Sequence, residues 1–200
     1  MSHPRLILAS TSVYRRQLLE RFGLPFEVAH PQVDETALPG EAPPALAQRL
    51  ALAKAEAVAR RHADALIIGS DQVAAQITAA GDEIFGKPGT LERAVDQLSR
   101  MSGQEVIFHT AVALVDTRTG HPGPQLATVP TRVRFRPLTE AEIRRYLARE
   151  PAFDCAGSAK CEGLGITLLD ALSGDDPTAL IGLPLIALAR MLRATGMELP

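Results

Sequence analysis

The sequence lacks the features that mark membrane, exported and nucleic-acid-binding proteins. In 200 residues no apolar run approaches the roughly 20 residues needed to cross a bilayer. The first residues lead directly into a strand pattern instead of a signal peptide, so we expect a cytoplasmic protein. Lysine and arginine total 21 against 23 acidic residues, which is not the basic excess of a nucleic-acid-binding surface. We therefore expect neither nucleic acid nor a membrane as a partner.

Cysteine is scarce, and the motifs of several enzyme classes are missing. Cys155 and Cys161 have neither the spacing of a CxxC redox pair nor that of a zinc knuckle. We interpret both as reduced thiols, with a redox role as the minor alternative. The five histidines lack the spacing of metal ligands, and a Walker A motif, HExxH and GxSxG are all absent. Any chemistry must therefore come from carboxylates, cations and hydroxyls.

Strand-like apolar runs alternate with helical patterns, which predicts an α/β or mixed α+β fold in a single domain over residues 1–200. A buried strand is predicted over residues 65–68, followed by a loop at 69–72 and a hairpin that turns at Gly81-Asp82. Thr139 and Glu142 form a capping box, which predicts the start of a helix. We expect a later strand over about 165–172 and a terminal helix after Pro184 that serves as core or as an interface.

The chain's first strand leads into an unusual helix start. Residues 6–9 run into Ser10-Thr11-Ser12, and the first turn of the next helix carries Arg15 and Arg16. A helix N-terminus has partial positive charge and unpaired N–H groups, so two arginines there are unfavourable unless an anion lies among them. Hydroxyls, free amides and guanidinium groups at one point make a phosphate site. In the alternative, Ser12 only caps the helix and the arginines face solvent.

Two carboxylates and two lysines complete the set of candidate groups. Asp71 follows the buried strand and two small residues, so we expect it at the strand's carboxyl end, where open α/β sheets bind ligands. Glu35 lies in a polar loop, Lys54 beside the apolar face of a helix over about 45–62, and Lys87 in the tight turn Gly86-Lys87-Pro88. The alternative is that Asp71 belongs to a turn or cap and that the lysines are surface charges.

These residue types indicate hydrolysis of a phosphate ester or anhydride. Carboxylates hold a hard divalent cation such as Mg²⁺, which keeps several waters and binds substrate phosphates. Cations and hydroxyls neutralise a polyphosphate as charge develops on it.

Six short motifs occur in order along nearly the whole chain, and together they carry a family resemblance. They are Ser10-x-Ser12-x-x-Arg15-Arg16, Val33-Asp34-Glu35, Lys54-Ala55, Gly69-Ser70-Asp71-Gln72, Gly86-Lys87-Pro88, and a block from Ala156-Gly157 to Gly182-Leu183-Pro184-Leu185. In this order they resemble the Maf family of nucleoside triphosphate pyrophosphatases. The resemblance implies a two-lobed Maf and inosine-triphosphatase-like fold with a central mixed sheet and an active-site cleft. It also implies cleavage between the α- and β-phosphates, and a homodimer.

The residues and the resemblance together suggest a role for each candidate. Asp71 is the proton acceptor for the attacking water, and Glu35 and Asp71 hold a divalent cation, Mg²⁺ or Mn²⁺. The cations neutralise the triphosphate and the departing pyrophosphate, and two serines complete the phosphate cradle. These groups are Arg15, Arg16, Lys54, Lys87, Ser10 and Ser12.

Two segments are similar to the branch of the family that acts on 7-methyl-GTP: Ser70-Asp71-Gln72 and residues 158–163. Methylated guanine is cationic and gains on the order of 1–2 kcal/mol over an aromatic face, which Tyr14 could supply where the branch often has tryptophan. Glu162 could accept hydrogen bonds from the guanine N–H groups, and Gln72 completes the specificity set. Alternatively, Tyr14 is ordinary packing and Glu162 a solvated charge. Val13 stands where the family more often has proline, so the loop is less preorganised.

Two other functions remain open from the sequence alone. One is a pyrophosphatase for pyrimidine or other modified nucleotides on the same scaffold. The other is a non-enzymatic nucleotide-binding regulator of cell division. A binding protein would not need both Glu35 and Asp71 as well as the cations, so their presence counts against the second alternative.

Overall fold

A computed structural model describes residues 4–78, 81–118, 120 and 123–199. Within these residues, seven strands and five α-helices alternate along the chain. They are β1 (Arg5–Ala9), α1 (Val13–Glu20), β2 (Glu27–Ala29), α2 (Pro43–Ala59), β3 (Ala65–Thr78), β4 (Gly81–Phe85), α3 (Leu91–Met101), β5 (Glu105–Asp116), β6 (Gln125–Phe135), α4 (Glu140–Arg149), β7 (Leu169–Gly174) and α5 (Leu185–Ala194). None of these helices is both long and apolar enough to cross a bilayer.

The strands form one mixed sheet in the order β2-β1-β3-β5-β6-β7, with β4 paired to β3. Strand β1 runs parallel to both β2 and β3, with Leu8 opposite Ile68 in the β1–β3 register. The β3–β4 and β6–β7 pairs are antiparallel. The prediction of a mixed α/β fold with a central mixed sheet is confirmed.

The chain divides into two compact units. Unit 1 comprises Met1–Asp71, Thr110–Val129 and Asp176–Pro200, and unit 2 comprises Gln72–His109 and Pro130–Asp175. The prediction of a single domain over the whole chain stays a prediction.

The core of unit 1 follows from the two-residue repeat of its strands. Leu6 and Leu8 of β1 lie beside Leu66 and Ile68 of β3 on one face of the sheet, because the parallel register pairs them directly. Helices α1 and α5 cover this face with leucines and methionines. The terminal helix and the residue before its N-cap pack into the core, as the first of the two alternatives expects. Their buried residues in this cluster are Leu183, Leu185, Leu188, Met191 and Leu192.

Strand β3 is much longer than its apolar run predicts. Residues 69–72 continue the strand, so the prediction of a loop there is wrong, and Asp71 lies within β3 instead of at its end. The small and polar residues at 69–72 are typical of a turn. In the structure they continue the strand, because the buried side chains of Ser70 and Asp71 both have partners. Ser70 Oγ lies 2.8 Å from the Ala111 carbonyl, and Asp71 pairs with Lys54.

Two other predicted boundaries are wrong, and one cap is confirmed. Gly81 pairs with Thr78, so Gly81-Asp82 belongs to β4 and is not the hairpin turn. Residues 164–168 form a 3₁₀ turn before β7, because the Glu150 carboxylate accepts the Leu164 and Gly165 N–H groups. The capping box at the start of α4 is present as predicted.

Candidate active site

A glycine allows α2 to lie directly on β3. A Cβ on Gly69 would lie 2.1 Å from the Ala51 carbonyl oxygen and 2.7 Å from the Ala55 nitrogen, both backbone atoms of α2. Only a residue without a side chain permits this approach. Side chains alternate along a strand, so Gly69 and Asp71 share the face of β3 that α2 covers. The close contact therefore brings Lys54 of α2 to Asp71.

Three of the predicted residues form a charged cluster, which we call the Lys54 cluster. Lys54 Nζ lies 2.5 Å from Asp71 Oδ1 and 2.6 Å from Glu35 Oε1. Lys54 is 5% exposed and Asp71 7%, whereas the Glu35 side chain is 55% exposed. A buried lysine thus joins a buried carboxylate to one that reaches solvent. The structure brings Glu35, Lys54 and Asp71 together, while their roles stay predictions.

Arg15 is a second cation beside this cluster. Burial lowers the pKa of Arg15, while the charges of Asp71 and Glu35 oppose that shift. Its Nε donates to the Gly182 carbonyl at 2.9 Å. That bond uses the Nε donor, and the guanidinium carries four further N–H donors on its two terminal nitrogens. Arg16 differs, because it is exposed and pairs with Glu20 at 3.0 Å.

The serines of the N-terminal motif organise the backbone at the start of α1. Ser12 is the N-cap, and its side chain accepts from the Arg15 N–H. Ser10 is buried, and its Oγ accepts from the Ser12 N–H at 3.1 Å. The capping role of Ser12 is confirmed, while phosphate binding by Ser10 and Ser12 stays a prediction. Tyr14, in the first turn, is half-buried.

Sequence reasoning missed the contribution of Ser70 and Gly182. The fully buried Ser70 hydroxyl lies 2.8 Å from the carbonyls of Ala111 and Gly182, so it can donate to either. The Gly182 carbonyl also accepts from Arg15. Ser70 and Asp71 therefore serve opposite faces of β3. Ser70 follows the apolar run of β3 directly, but its partners lie 41 and 112 residues away, so no local signal predicted them.

The remaining candidates, Gln72, Lys87 and Glu162, belong to unit 2. Lys87 is exposed in the irregular segment 86–89, which is held on both sides: Gln97 Nε2 donates to the Gly86 carbonyl at 3.1 Å, and the Gly89 N–H donates to the Phe153 carbonyl. Glu162 is exposed as well. Their roles stay predictions.

The segment around Glu162 is held by side chains of α4 and the residue after it. The Lys160 N–H donates to the Tyr146 hydroxyl at 3.0 Å, and the two Glu150 oxygens accept the N–H groups that follow Gly163. Burial is the main cause that raises the pKa of both Cys155 and Cys161 to about 12. The thiols are therefore protonated at neutral pH, and both cysteines are free of disulfides.

The Lys54 cluster has the donor chemistry for a hard metal ion but supplies few ligands. Among residues 4–78, 81–118, 120 and 123–199, no group of three or more His, Cys, Asp or Glu side chains could hold a metal. Glu35 and Asp71 offer two carboxylates. That set fits Mg²⁺ or a similar ion, which retains waters and takes further oxygens from substrate phosphates.

Comparison with known proteins gives one family and a consistent set of relatives. The family model described as "Maf-like protein" matches residues 5–195. A protein of Aromatoleum aromaticum is 65% identical over 200 residues, which cover 100% of both chains. One of Xanthomonas axonopodis pv. citri is 59% identical over 198 residues, with 98% of this chain and 100% of the relative covered. One of Burkholderia thailandensis is 60% identical over 202 residues, covering 99% and 91%. All three relatives bear the name 7-methyl-GTP pyrophosphatase.

Proposed function

The chain belongs to the Maf family, and from this premise we propose that it is a nucleoside triphosphate pyrophosphatase that converts 7-methyl-GTP to 7-methyl-GMP and pyrophosphate. The observation that carries the proposal is the Lys54 cluster: a buried lysine at 2.5 Å from Asp71 and 2.6 Å from Glu35, with Arg15 beside them. A hydrolase of phosphoanhydrides needs a fixed base and fixed cations, and this cluster offers both.

Asp71 is the proposed catalytic base. A water attacks the α-phosphorus and forms the new P–O bond, and its proton passes to the Asp71 carboxylate. The bond from the α-phosphorus to the oxygen that bridges it to the β-phosphorus breaks, and pyrophosphate leaves with the electron pair. Lys54 holds Asp71 at one oxygen, Oδ1. The carboxylate is thereby oriented before substrate binds, which lowers the entropic cost of the reactive arrangement.

The cations are proposed to bind the triphosphate. Arg15 and Arg16 lie in the first turn of α1, where helix N–H groups and the arginines both favour an anion. Lys87 is proposed to join them as an exposed cation that attracts the pyrophosphate group. Ser10 and Ser12, which already hold the backbone of this turn, are proposed to complete the phosphate cradle.

We propose a divalent cation, Mg²⁺ or Mn²⁺, as the cofactor, held by Glu35 and Asp71. When bound, such an ion withdraws charge from the phosphate oxygens. Glu35 is suited to this because more than half of its side chain is exposed, so a hydrated ion can reach it.

For the base, we propose that Tyr14 stacks on the cationic ring and that Glu162 accepts from the guanine N–H groups. Gln72, the residue after Asp71, is the third proposed specificity residue. Stacking on Tyr14 would favour the methylated over the neutral ring by on the order of 1–2 kcal/mol. We also propose a homodimer in the cytoplasm that has neither nucleic acid nor a membrane as a partner.

The test is pyrophosphate release across canonical and modified nucleoside triphosphates with Mg²⁺ or Mn²⁺, using Asp71→Asn as the blank. The proposal predicts turnover of 7-methyl-GTP that is absent in the blank. In ¹⁸O-labelled water, the label should enter 7-methyl-GMP. Label in pyrophosphate would contradict attack at the α-phosphorus, and turnover of pyrimidine nucleotides alone would contradict the base assignment.

A further inference from the structure

Glu35 belongs to a polar segment of unit 1, residues 34–41, that leads directly into α2. More than half of the Glu35 side chain is exposed, and most of the segment's residues are exposed too. An exposed loop glutamate ordinarily samples many conformations, and fixing it costs entropy. Glu35 nevertheless meets Lys54 at 2.6 Å. Something must therefore hold the segment in addition to that contact.

Arg49 of α2 holds the far end of this segment. Its Nε and Nη2 donate to the two carboxylate oxygens of Glu41 at 2.6 and 2.7 Å. The Leu38 N–H also donates to Glu41, at 3.0 Å. Although Glu41 is a loop residue, its side chain is only 9% exposed. A two-pronged guanidinium–carboxylate contact of this kind fixes orientation as well as distance.

The same guanidinium also holds the residue next to Glu35. Arg49 Nη2 donates to the Thr36 carbonyl at 3.0 Å. On the other side, Asp34 Oδ1 accepts from the Thr36 N–H at 2.9 Å and from its hydroxyl at 2.7 Å, so Asp34 and Thr36 close a local turn around Glu35. The backbone on both sides of Glu35 is thus constrained, and Arg49 ties that turn to α2.

We propose that Arg49 is a positioning residue: through Glu41 and the Thr36 carbonyl it fixes residues 34–41 on α2, so that Glu35 is presented to Lys54 and Asp71. Helix α2 then holds the segment at two points, Arg49 at its far end and Lys54 at Glu35. The inference rests on the proposed function, in which Glu35 takes part in the reaction. In this proposal Arg49 acts through Glu35 and does not contact the substrate, although its charge also interacts with that of Asp71.

The first arm of the test needs no substrate. Glu41→Gln keeps the shape of the side chain but removes the charge that the guanidinium binds, and Arg49→Lys keeps the charge but removes the fork. Amide hydrogen exchange, measured by NMR, should speed up at Thr36 and Leu38 in both variants, with exchange in β1 and β3 unchanged. Glu27→Gln is the matched control, because it breaks the exposed two-pronged Arg5–Glu27 contact of the same unit. Unchanged exchange at Thr36 and Leu38 would overturn the proposal.

The second arm asks whether Arg49 acts through Glu35. With 7-methyl-GTP, Arg49→Lys and Glu41→Gln should each lower kcat/KM by roughly 10- to 100-fold, since a small misplacement of a reacting group has effects of that size. In a Glu35→Gln background the same changes should cost little more, because the group that they position is already gone. Losses that multiply in the double variants would overturn the proposal. If the wild type releases no pyrophosphate, the proposed function fails, while the exchange measurement still decides the role of Arg49.

Discussion

In unit 1 Lys54 joins two candidate carboxylates directly, whereas in unit 2 neighbouring side chains hold the backbone around the exposed candidates Lys87 and Glu162. Lys54 contacts both Asp71 and Glu35, and the charges of both carboxylates raise the pKa of Arg15 against the effect of its burial. Lys87 and Glu162 are exposed. The side chains of Gln97 and Tyr146 form hydrogen bonds with backbone groups near them, at Gly86 and Lys160. A change within the Lys54 cluster therefore disturbs several charges at once. We expect it to affect stability more than a change at the exposed Lys87 or Glu162.

The largest difference between the units is expected when Lys54→Met is compared with Lys87→Met. Without Lys54, the buried Asp71 loses its partner, so we expect loss of turnover and a fall of about 3 kcal/mol in the free energy of unfolding. Lys87 is exposed, so its replacement should lower activity but change that free energy by less than about 0.5 kcal/mol. Urea denaturation and pyrophosphate release measure both. Equal stability of the two variants would contradict the difference between the units.

A pair of glycine changes gives the next largest effect. Gly69→Ala should cost about 1–3 kcal/mol of unfolding free energy, because the new Cβ meets the backbone of α2, and it should lower activity as Lys54 shifts. Gly86→Ala is the control, because a Cβ there meets nothing within 4 Å. Its thermal midpoint should match that of the wild type or rise slightly. If Gly69→Ala kept full activity, the close packing of α2 would not position the cluster.

Sequence reasoning succeeds where the interacting residues are close together in the chain. The capping box of Thr139 and Glu142 was predictable because its residues are three apart and interact locally. Most elements follow from hydrophobic periodicity, and the order of the motifs identified the cluster residues. Lys54, Glu35 and Asp71 meet as that interpretation expects.

The length of β3 was not predictable in the same way. Residues 69–72 have the composition of a turn, and their partners are distant in sequence: Ser70 meets Ala111 and Gly182, and Gly69 meets α2. The start of α5 shows the same limit. Its first N–H groups are accepted by Asp176 and Thr178, which lie ten and seven residues before their partners. Local propensity carries no information about such contacts.

A smaller effect is expected for substrate preference in unit 2. Glu162→Ala should reduce the preference for 7-methyl-GTP over GTP by roughly 5- to 30-fold, which corresponds to about 1–2 kcal/mol of lost charge-assisted interaction with the cationic base. Turnover of GTP should also fall, but by less, because GTP offers the same guanine N–H donors without the positive ring. Asp170→Ala, another exposed acidic residue of unit 2, is the control. An unchanged ratio of kcat/KM values in Glu162→Ala would remove this residue from base recognition.

The smallest expected effect is the loss of stability in acid, which we test with one carboxylate from each unit. A hydrogen bond from Arg49 is the main cause that lowers the pKa of Glu41 to about 2, and the Thr139 N–H is the main cause for Glu142. Because both folded pKa values lie below the unfolded value of 4.5, their stabilisation is present above pH 4.5 and is lost as pH falls towards 2.

Glu41→Gln and Glu142→Gln should each flatten the fall of the urea midpoint between pH 4.5 and 2. Glu105→Gln, which breaks an exposed pair with Arg132, is the control and should leave the slope unchanged. If the urea midpoint of either variant fell with pH as steeply as that of the wild type, the substituted carboxylate would not have a lowered pKa in the folded protein.

The central claim is that Asp71, held by Lys54, takes the proton from the water that attacks the α-phosphate. Single-turnover cleavage of bound 7-methyl-GTP by Asp71→Asn, with the nucleotide Kd measured on the same sample, tests it most directly. The account predicts a rate lower by roughly 10²- to 10⁴-fold with a Kd close to that of the wild type. A near-normal rate of cleavage in Asp71→Asn would contradict it.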